Sequence, residues 1–486
     1  MLPRKWLRAL SVMTFMVKKA TGALDLDIND PDSIRAAAKI TAKNMMSYYN
    51  GHEPGQIPGK LPDTWWEGGA MFMTLIQYWY WTGDDTYNDM VRQGMLHQKG
   101  RNDFFPRNSS TYLGNDDQMF WGLAAMTAAE LGFPEGYPGV DEHYGENKKN
   151  GKSGDKKKKD PSWLSLAQGV FNTQMPRWDE SACGGGMRWQ VWPYQGGYTT
   201  KNAITNGGLF QLAARLGRYT KNQTYIHWAE KIWEWSATTP LLRADGKWTI
   251  ADTTSVENDC RDHGDQQWTY NYGAYIGGAA YMYDLTNGGK KWRAGIDGLL
   301  GTTWGEFFKV DNTMSETGCE RSVTCDRNED MFKGFLSSWL TFTTTMAPWT
   351  EDAVMPRIQQ SALGAARQCH NDKSCGRRWN KDAWDGTSTM ESDMSALSVL
   401  SSAMRPFKPG AQPMTPNTGA FSASSPIAGM NEDFDPEKQR EITDRDCAGA
   451  SLLTVLFVLL WIWGFIWTVF GNEQMPQCSH PSCRYA

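Results

Sequence analysis

The chain has 486 residues, including 24 Trp, 18 Tyr and 19 Phe, and a formal net charge of −5. Its basic residues are dispersed apart from one local run, so we expect no nucleic-acid partner. Val and Ile are scarce, which argues against a sheet-rich protein. So many aromatic rings favour sugar binding, because flat rings cover the apolar faces of pyranoses, although large aromatic side chains also fill protein cores.

The first 23 residues have the pattern of a signal peptide. A basic start with Arg4 and Lys5 precedes an apolar stretch from Leu10 to Val17, and small residues follow at 21–23. Lys18 and Lys19 interrupt this pattern. The ordering of these features nevertheless predicts entry into the secretory pathway.

Residues 24–404 are predicted to form one all-α catalytic domain, an (α/α)6 barrel of six inner and six outer helices. Segments that are apolar all round alternate with amphipathic ones, as expected of buried and surface helices. An open α-solenoid is the alternative, but unequal spacing and polar residues before the inner helices favour a closed ring. The predicted helices begin near Pro31, Thr64, Asp84, Asn115, Ser162, Lys201, Asn222, Trp268, Lys290, Asp330, Glu351 and Gly386. A Lys- and Gly-rich stretch at 145–160 is predicted to be a solvated insertion loop.

The segments that precede the inner helices carry carboxylates, carboxamides and aromatic residues, and one holds the pair Asp116-Asp117. Retaining glycosidases use two carboxyl groups about 5–5.5 Å apart, a spacing that neighbouring residues at a helix entrance can provide. Two nearby carboxyls also resist joint ionisation, so one can stay protonated as an acid. The alternative is a helix cap. Asp84-Asp85 is interpreted as that case, because it lies in a turn at the opposite end of the barrel.

Three consecutive glycines, Gly184 to Gly186, precede Arg188, Trp189 and Gln190. Glycines allow a backbone to approach a ligand closely, and the three residues that follow offer donors and a stacking face. A flexible loop with a core-packed Trp is the alternative. A phosphate-binding loop is not indicated, because no Gly-Lys-Ser/Thr follows.

Three close cysteine pairs indicate small disulfide rings in an oxidising compartment. They are Cys319/Cys325, Cys369/Cys375 and Cys478/Cys483, while Cys183 and Cys260 are plausible long-range partners. A zinc site is a weaker interpretation, because the metal-binding spacings of Cys and His are missing from the sequence. Two glycosylation sequons begin at Asn108 and Asn222.

The C-terminal region divides into three stretches. Residues 405–451 read as a Ser/Thr/Pro-rich and charged linker, 452–470 as a hydrophobic segment long enough to cross a bilayer, and 471–486 as a polar tail. This order resembles a glycosylphosphatidylinositol (GPI) anchor signal. The polar tail and the missing small-residue triplet depart from that pattern, so a retained transmembrane helix is the alternative.

Four motifs in this order resemble glycoside hydrolase family 76, the α-1,6-mannanases, and specifically its fungal cell-wall branch, the Dfg/Dcw proteins. They are Gly114 to Asp117, Gly184 to Gln190, Lys201 to Asn206 and Thr269 to Gly273. The resemblance implies an (α/α)6 barrel and a retaining mechanism with Asp116 as nucleophile and Asp117 as acid/base. No cofactor or metal site is predicted, and the sequence leaves metal binding open. Bacterial members tend to have Gln where this chain has Tyr272. The substrate-binding positions inferred with it are Trp65, Trp66, Asn115, Arg188, Trp189, Gln190, Asn202, Asn206, Tyr270, Asn271, Tyr272 and Lys333.

The resemblance further implies a donor of α-1,6-mannan or the GPI-core glycan and a possible β-glucan acceptor, at the outer face of the plasma membrane and in the cell wall. Water and a sugar hydroxyl are both open as acceptors. Two other interpretations are a catalytically silent mannan-binding protein on the same fold and an unrelated (α/α)6 enzyme such as a lyase. A lyase would require a Tyr, His or Arg constellation rather than paired acids.

Overall fold

The computed structural model describes residues 20–21, 24–62, 64–106, 110–136, 160–264, 266–370, 374–430 and 444–470. The predicted signal peptide apart from 20–21, the insertion loop apart from Asp160, the Cys478/Cys483 pair and the polar tail lie outside the described residues. So does the Asn108 sequon. The chain divides into two compact units, Met1–Glu432 and Asp433–Ala486.

Helices dominate the first unit and alternate between an inner and an outer position. The inner helices, which are buried over most of their length, are α2 (Trp66–Thr82), α4 (Asn115–Leu131), α6 (Ala203–Thr220), α8 (Thr269–Leu285), α10 (Arg327–Met346) and α12 (Met390–Ser402). The outer helices are α1 (Pro31–Met46), α3 (Asn88–Gln98), α5 (Trp163–Gln174), α7 (Gln223–Ala237), α9 (Lys290–Phe307) and α11 (Glu351–Arg367).

The inner helices form a closed ring. Each packs against the next in sequence, and α12 packs against α2. The first outer helix, α1, packs against α12, so the two ends of the barrel sequence meet. The predicted (α/α)6 barrel is therefore confirmed, and the open solenoid is wrong.

The helix that was expected to begin near Asp84 begins at Asn88. The Asp84 carboxylate accepts hydrogen bonds from the Thr86 backbone N–H at 3.0 Å and from the Tyr78 hydroxyl at 2.8 Å. These bonds stabilise a turn, which delays the start of the helix.

The N-termini of the inner helices gather at one end of the barrel. Asn202, the N-cap of α6, contacts Asp116 in the first turn of α4. On the other side of the ring, Arg327 at the start of α10 forms ion pairs with Glu67 of α2 and Glu391 of α12 at 2.9 and 2.7 Å. The loops that enter the inner helices therefore form a common face, which we call the N-terminal face.

Two short antiparallel ladders supplement the helices. The strands β1 (Ala20–Thr21) and β2 (Asp25–Leu26) pair with each other, and β3 (Thr200–Asn202) pairs with β4 (Thr253–Ser255). The second ladder leads directly into α6. It therefore ties the loop before that helix to the loop before α8.

The described part of the predicted linker, 405–430, packs against the barrel. Ser425 N–H donates to the Gln168 side chain on α5 at 2.6 Å, and the Asn172 amide donates to the carbonyls of Pro426 and Ala428, both at 2.9 Å. Buried backbone groups require such partners. The folded unit therefore continues through residue 430, beyond the boundary at 404 that composition predicts.

Three of the predicted disulfides are present. They join Cys183 to Cys260, Cys319 to Cys325 and Cys369 to Cys375. In the second unit, α13 (Asp444–Phe470) contains one span, Ser451–Thr468, that is long and apolar enough to cross a membrane.

Candidate active site

Asp116 and Asp117 occupy the first turn of α4, where both side chains remain partly accessible. One carboxylate oxygen of Asp117 accepts the Gly114 N–H at 2.7 Å and so completes a capping box. The Asp116 carboxylate accepts the Asp117 N–H at 3.1 Å and faces the Asn202 amide at 3.5 Å. Capping and exposure to the cleft therefore coexist in this pair.

The environment raises the pKa of both carboxyls. Burial raises the pKa of Asp117 to about 6, against which its hydrogen bond from Gly114 acts. Burial and then the neighbouring charge of Asp117 raise the pKa of Asp116 well above its ordinary value. Two neighbouring acids with raised pKa values resist joint ionisation, so the pair titrates as a unit.

Asn115 holds the glycine-containing loop against the start of α4. Its N–H donates to the Trp189 carbonyl at 2.8 Å and its side-chain amide donates to the Arg188 carbonyl at 2.9 Å. Its side-chain oxygen accepts from Arg177 at 2.7 Å. Because Asn115 is buried and bonded in this way, it positions the cleft wall.

The three glycines make a close approach to an indole ring. Gly186 has a φ of 100°, and a Cβ at this position would lie 2.2 Å from the Trp235 ring. The Trp235 indole N–H donates to the Cys183 carbonyl at 3.0 Å. These contacts account for Gly186 through close packing on Trp235 of α7. The Trp of the loop itself, Trp189, is exposed, whereas the alternative interpretation expected it to pack in the core.

A buried ammonium group organises the same loop. Lys201 is fully buried and donates to the carbonyls of Asp179 and Ala182 at 3.1 and 2.8 Å. The Asp179 carboxylate pairs with Lys201 at 3.2 Å and with Arg188 at 2.9 Å. Arg188 is therefore held by a fixed anion and also covers the Tyr198 ring, 4.6 Å from its centroid.

Aromatic rings lie beside the carboxyl pair. Trp66 is partly accessible and packs on Phe120, one turn after Asp116, with ring centroids 4.8 Å apart. Tyr270 stacks on Phe332 at 3.7 Å. Burial raises the pKa of Tyr270 well above its ordinary value, and the charges of Asp252 and Asp116 raise it further. Tyr270 therefore lies close enough to Asp116 to sense its charge.

Asp252 is a third carboxylate at this site. Its side chain accepts the Asn271 amide at 2.9 Å, and its carbonyl accepts the N–H of Ala203 at the start of α6 at 2.8 Å. Burial raises its pKa. The side chain is partly accessible, so it is placed to contact a ligand beside Tyr270.

Four predicted substrate-binding residues are buried with protein partners. Trp65 donates to Gln98 at 2.8 Å, and Asn206 exchanges two hydrogen bonds with the Met187 backbone. Tyr272 is fully buried, bonds to Gln267 and packs on Phe307. Lys333 pairs with Glu320 and covers the Trp379 ring at 4.0 Å. The structure thus brings Trp66, Asn202 and Tyr270 to the carboxyl pair, with Trp189 partly exposed nearby, and leaves these four in the scaffold.

Sequence reasoning missed Arg177, Asp179 and Asp252. None lies at the start of an inner helix, and each reaches the site only through tertiary contacts. The single local signal is that Asp252 is followed by the strand that pairs with β3. Within the described residues, no group of three or more His, Cys, Asp or Glu side chains is placed to hold a metal ion.

A closed helical barrel with paired carboxyls and aromatic rings in one accessible site defines the class of glycoside hydrolases. The sequence matches the family described as glycosyl hydrolase family 76 over residues 33–144 and 152–416. The chain belongs to this family, which confirms the resemblance drawn from its motifs.

Relatives of known name share most of this chain's length. It is 35% identical over 476 residues to the Saccharomyces cerevisiae protein named mannan endo-1,6-alpha-mannosidase DCW1, covering 97% of this chain and 100% of that protein. It is 35% identical to DFG5 of the same yeast, covering 93% of this chain and 95% of that protein. The crystal structure of Dfg5 from Chaetomium thermophilum in complex with glucosamine is 37% identical, with a TM-score of 0.76, covering 84% of this chain and 98% of that one.

Proposed function

We propose that this protein cleaves α-1,6-linked mannose with retention of configuration. The observation that carries the proposal is the pair Asp116-Asp117, which is partly accessible at the start of α4 and whose two carboxyls both have raised pKa values. Yeast relatives that match nearly the whole chain are named mannan endo-1,6-alpha-mannosidases, which supports mannan as the donor.

In the proposed mechanism, Asp116 attacks the anomeric carbon and Asp117 protonates the departing glycosidic oxygen. A covalent mannosyl-enzyme forms, and Asp117 then removes a proton from the acceptor hydroxyl. This mechanism requires Asp116 to be ionised and Asp117 to be protonated when the substrate is bound. The Asn202 amide and the Tyr270 hydroxyl are positioned to stabilise the resulting Asp116 anion.

Neighbouring side chains are proposed to hold the sugar. Trp66 offers an aromatic face, and Asp252 and Tyr270 offer groups that bind hydroxyls. Arg188 and Gln190 belong to the wall that Asn115 holds against α4. Asn115 and Asn271 are proposed to act indirectly: Asn115 positions the loop that carries Arg188, and Asn271 positions the Asp252 carboxylate.

A second candidate reaction is transfer of the mannosyl group to a glucan hydroxyl instead of water. The solved Dfg5 relative was obtained with glucosamine, a sugar of gluco configuration, which supports a site for such an acceptor. The first half-reaction is the same in both cases. The acceptor then decides between hydrolysis and cross-linking of a GPI-anchored protein to wall glucan.

We infer that the protein acts at the outer face of the plasma membrane and in the cell wall. Three disulfides are consistent with an oxidising compartment, and the apolar span Ser451–Thr468 is consistent with attachment to a membrane. Release by phosphatidylinositol-specific phospholipase C would identify a GPI anchor. Retention after that treatment would identify a transmembrane helix.

The test uses full-length protein in detergent with α-1,6-mannobiose, alone and with a laminarin-type acceptor. Release of mannose by the wild type, and loss of release in Asp116→Asn, are expected. A mixed mannose–glucan product would establish transfer. Turnover that persists in Asp116→Asn, or none in either protein, would overturn the proposal.

A further inference from the structure

A cavity of about 450 Å³ opens between two loops of the N-terminal face. One loop joins α9 to α10 and contributes Arg321, and the other joins α11 to α12 and contributes Arg378 and Lys381. Cavities of this size hold small molecules or single groups of a larger ligand. Its position and charges distinguish it from the carboxyl pair.

Both carboxylates that line the cavity are already neutralised by protein groups. Glu306 pairs with Lys309 at 3.1 Å and accepts the Thr317 hydroxyl at 2.9 Å. Glu320 pairs with Lys333 and accepts the Glu316 N–H at 3.0 Å. Neither carboxylate therefore balances the remaining positive charge of the lining.

Besides Lys309, three cationic side chains line the cavity. Among the residues that the structure describes, no carboxylate lies within ion-pair distance of Arg321, Arg378 or Lys381. Asp385 accepts the backbone N–H of Arg378 at 2.9 Å and forms no ion pair with its guanidinium group. Three unmatched cations around one cavity exceed what a single carboxylate would neutralise, and arginines bind phosphate oxygens well.

Disulfide bonds constrain the backbone of both loops that form the cavity walls. Cys319–Cys325 closes a ring that contains Arg321, and Cys369–Cys375 ends three residues before Arg378. Lys333 lies over the Trp379 ring between the walls. The cations are therefore held on a preformed framework, which lowers the entropy that binding would cost.

A buried carboxylate connects the cavity lining to α8. Glu316 lies between the lining residues Ser315 and Thr317, and it accepts the N–H of Thr269 at 3.1 Å. Thr269 begins α8 and immediately precedes Tyr270. The cavity lining is therefore bonded to the inner helix that carries Tyr270.

We propose that this cavity binds a phosphate ester carried by the glycan substrate. The identity of the glycan rests on the proposed function, whereas the phosphate specificity rests on the three unmatched cations. The phosphate group makes the contacts, so a phosphorylated mannose is favoured over a neutral one and over a singly charged uronic acid.

The experiment measures binding to full-length protein by calorimetry, with mannose 6-phosphate, mannose, glucuronate, inorganic phosphate and phosphatidylinositol vesicles as ligands. The test variant is Arg321→Ala/Arg378→Ala. The control is Lys43→Ala/Lys290→Ala, which removes the same charge from two exposed lysines that do not line the cavity. If the alanine variant unfolds at a lower temperature than the wild type, Arg321→Gln/Arg378→Gln replaces it.

Mannose 6-phosphate is expected to bind at least about tenfold more tightly than mannose or glucuronate, and inorganic phosphate should displace it. Its affinity should fall as the salt concentration rises. The test variant should lose this preference and the control should keep it. Equal affinity for mannose and mannose 6-phosphate, or an unchanged preference in the test variant, would overturn the proposal. So would binding confined to phosphatidylinositol vesicles, which would assign the cations to a lipid headgroup.

Turnover of neutral α-1,6-mannobiose is measured on the same preparations. The test variant should retain it within about twofold, because the cavity does not hold the reacting groups. Failure of the wild type to cleave mannobiose would count against the proposed function, and it would leave the phosphate result standing by itself.

Discussion

The chain contains two Asp-Asp pairs that lie at opposite ends of the barrel and in opposite electrostatic environments. Asp84 lies in the turn after α2, where hydrogen bonds from Thr86 and Tyr78 and the nearby Lys39 lower its pKa to about 2. Asp116 and Asp117 start α4, where burial raises both pKa values. The same dipeptide therefore serves as a turn anchor in one place and as a pair of acids with raised pKa values in the other.

The difference comes from the surroundings of each pair. Asp84 receives several donors and a cation, so its anion is stable. Asp116 and Asp117 each receive one close backbone donor, and each lies beside the other's charge. Burial with few hydrogen bonds therefore raises the pKa of both acids of α4.

The largest expected effect separates the two pairs by activity. Replacing Asp116 by Asn should lower kcat by at least about 10⁴-fold, because the nucleophile is removed. Asp84→Asn should leave kcat within about twofold. Initial rates on α-1,6-mannobiose measure both. Comparable losses in the two variants would mean that the pairs do not differ in function.

Replacing Asp117 should expose its separate role. Asp117→Asn should lower activity by about 10²–10⁴-fold, as expected for loss of a general acid/base. Azide should partly restore turnover of a substrate with a good leaving group and yield a mannosyl azide of retained configuration. Rescue in Asp116→Asn instead of Asp117→Asn would reverse the two assignments.

The pH profile should report the titration of Asp116 and Asp117. Because the pKa of Asp117 is raised to about 6, kcat/KM should fall about tenfold per unit as pH drops below about 6. Below that pH both carboxyls are protonated and no anion is left to attack. Asp84→Asn should leave this limb unchanged. An acidic limb of the kcat/KM profile with its midpoint near pH 4 would contradict the raised pKa of Asp117.

A smaller contrast concerns two tyrosines of α8. Tyr270→Phe should lower kcat/KM by about tenfold with little change in stability, because its hydroxyl is near Asp116. Tyr272→Phe should keep activity and cost about 1 kcal/mol of stability, because its buried hydroxyl bonds to Gln267 and to the Ile250 N–H. Activity assays and thermal unfolding on the same samples distinguish these outcomes.

The smallest effects are on stability and have opposite signs. Because the folded-state pKa of Asp117 is raised, the wild type loses stability as pH rises from about 4 to 6. Asp117→Asn should therefore be roughly 2 kcal/mol more stable than the wild type at pH 7. The pKa of Asp84 is lowered, so its contribution is present at pH 7 and is lost as pH falls toward 2. Asp84→Asn should therefore be about 1 kcal/mol less stable at pH 7. Denaturant melts at pH 4 and pH 7 would show both trends.

Periodicity predicted the barrel well, because burial on all sides and on one side leave different patterns along α8 and α7. It also distinguished the two Asp-Asp pairs by their place in the helix alternation. It could not distinguish Tyr270 from Tyr272, since their different environments depend on α10 and on the 250–267 loop. Asp252 and Arg177 were missed for the same reason, because only contacts distant in sequence bring them to the site.

The ring closes where Arg327 forms ion pairs with both Glu67 and Glu391. The contacts of α2 at this point are therefore complete only when the last inner helix is in place. As the chain is made from its N-terminus, the carboxyl pair of α4 and its neighbour Asn202 are synthesised long before α12 completes the opposite wall. Such distant contacts form late in folding. The ion pairs of Arg327 can therefore form completely only after Glu391, near the end of the barrel sequence, has been synthesised.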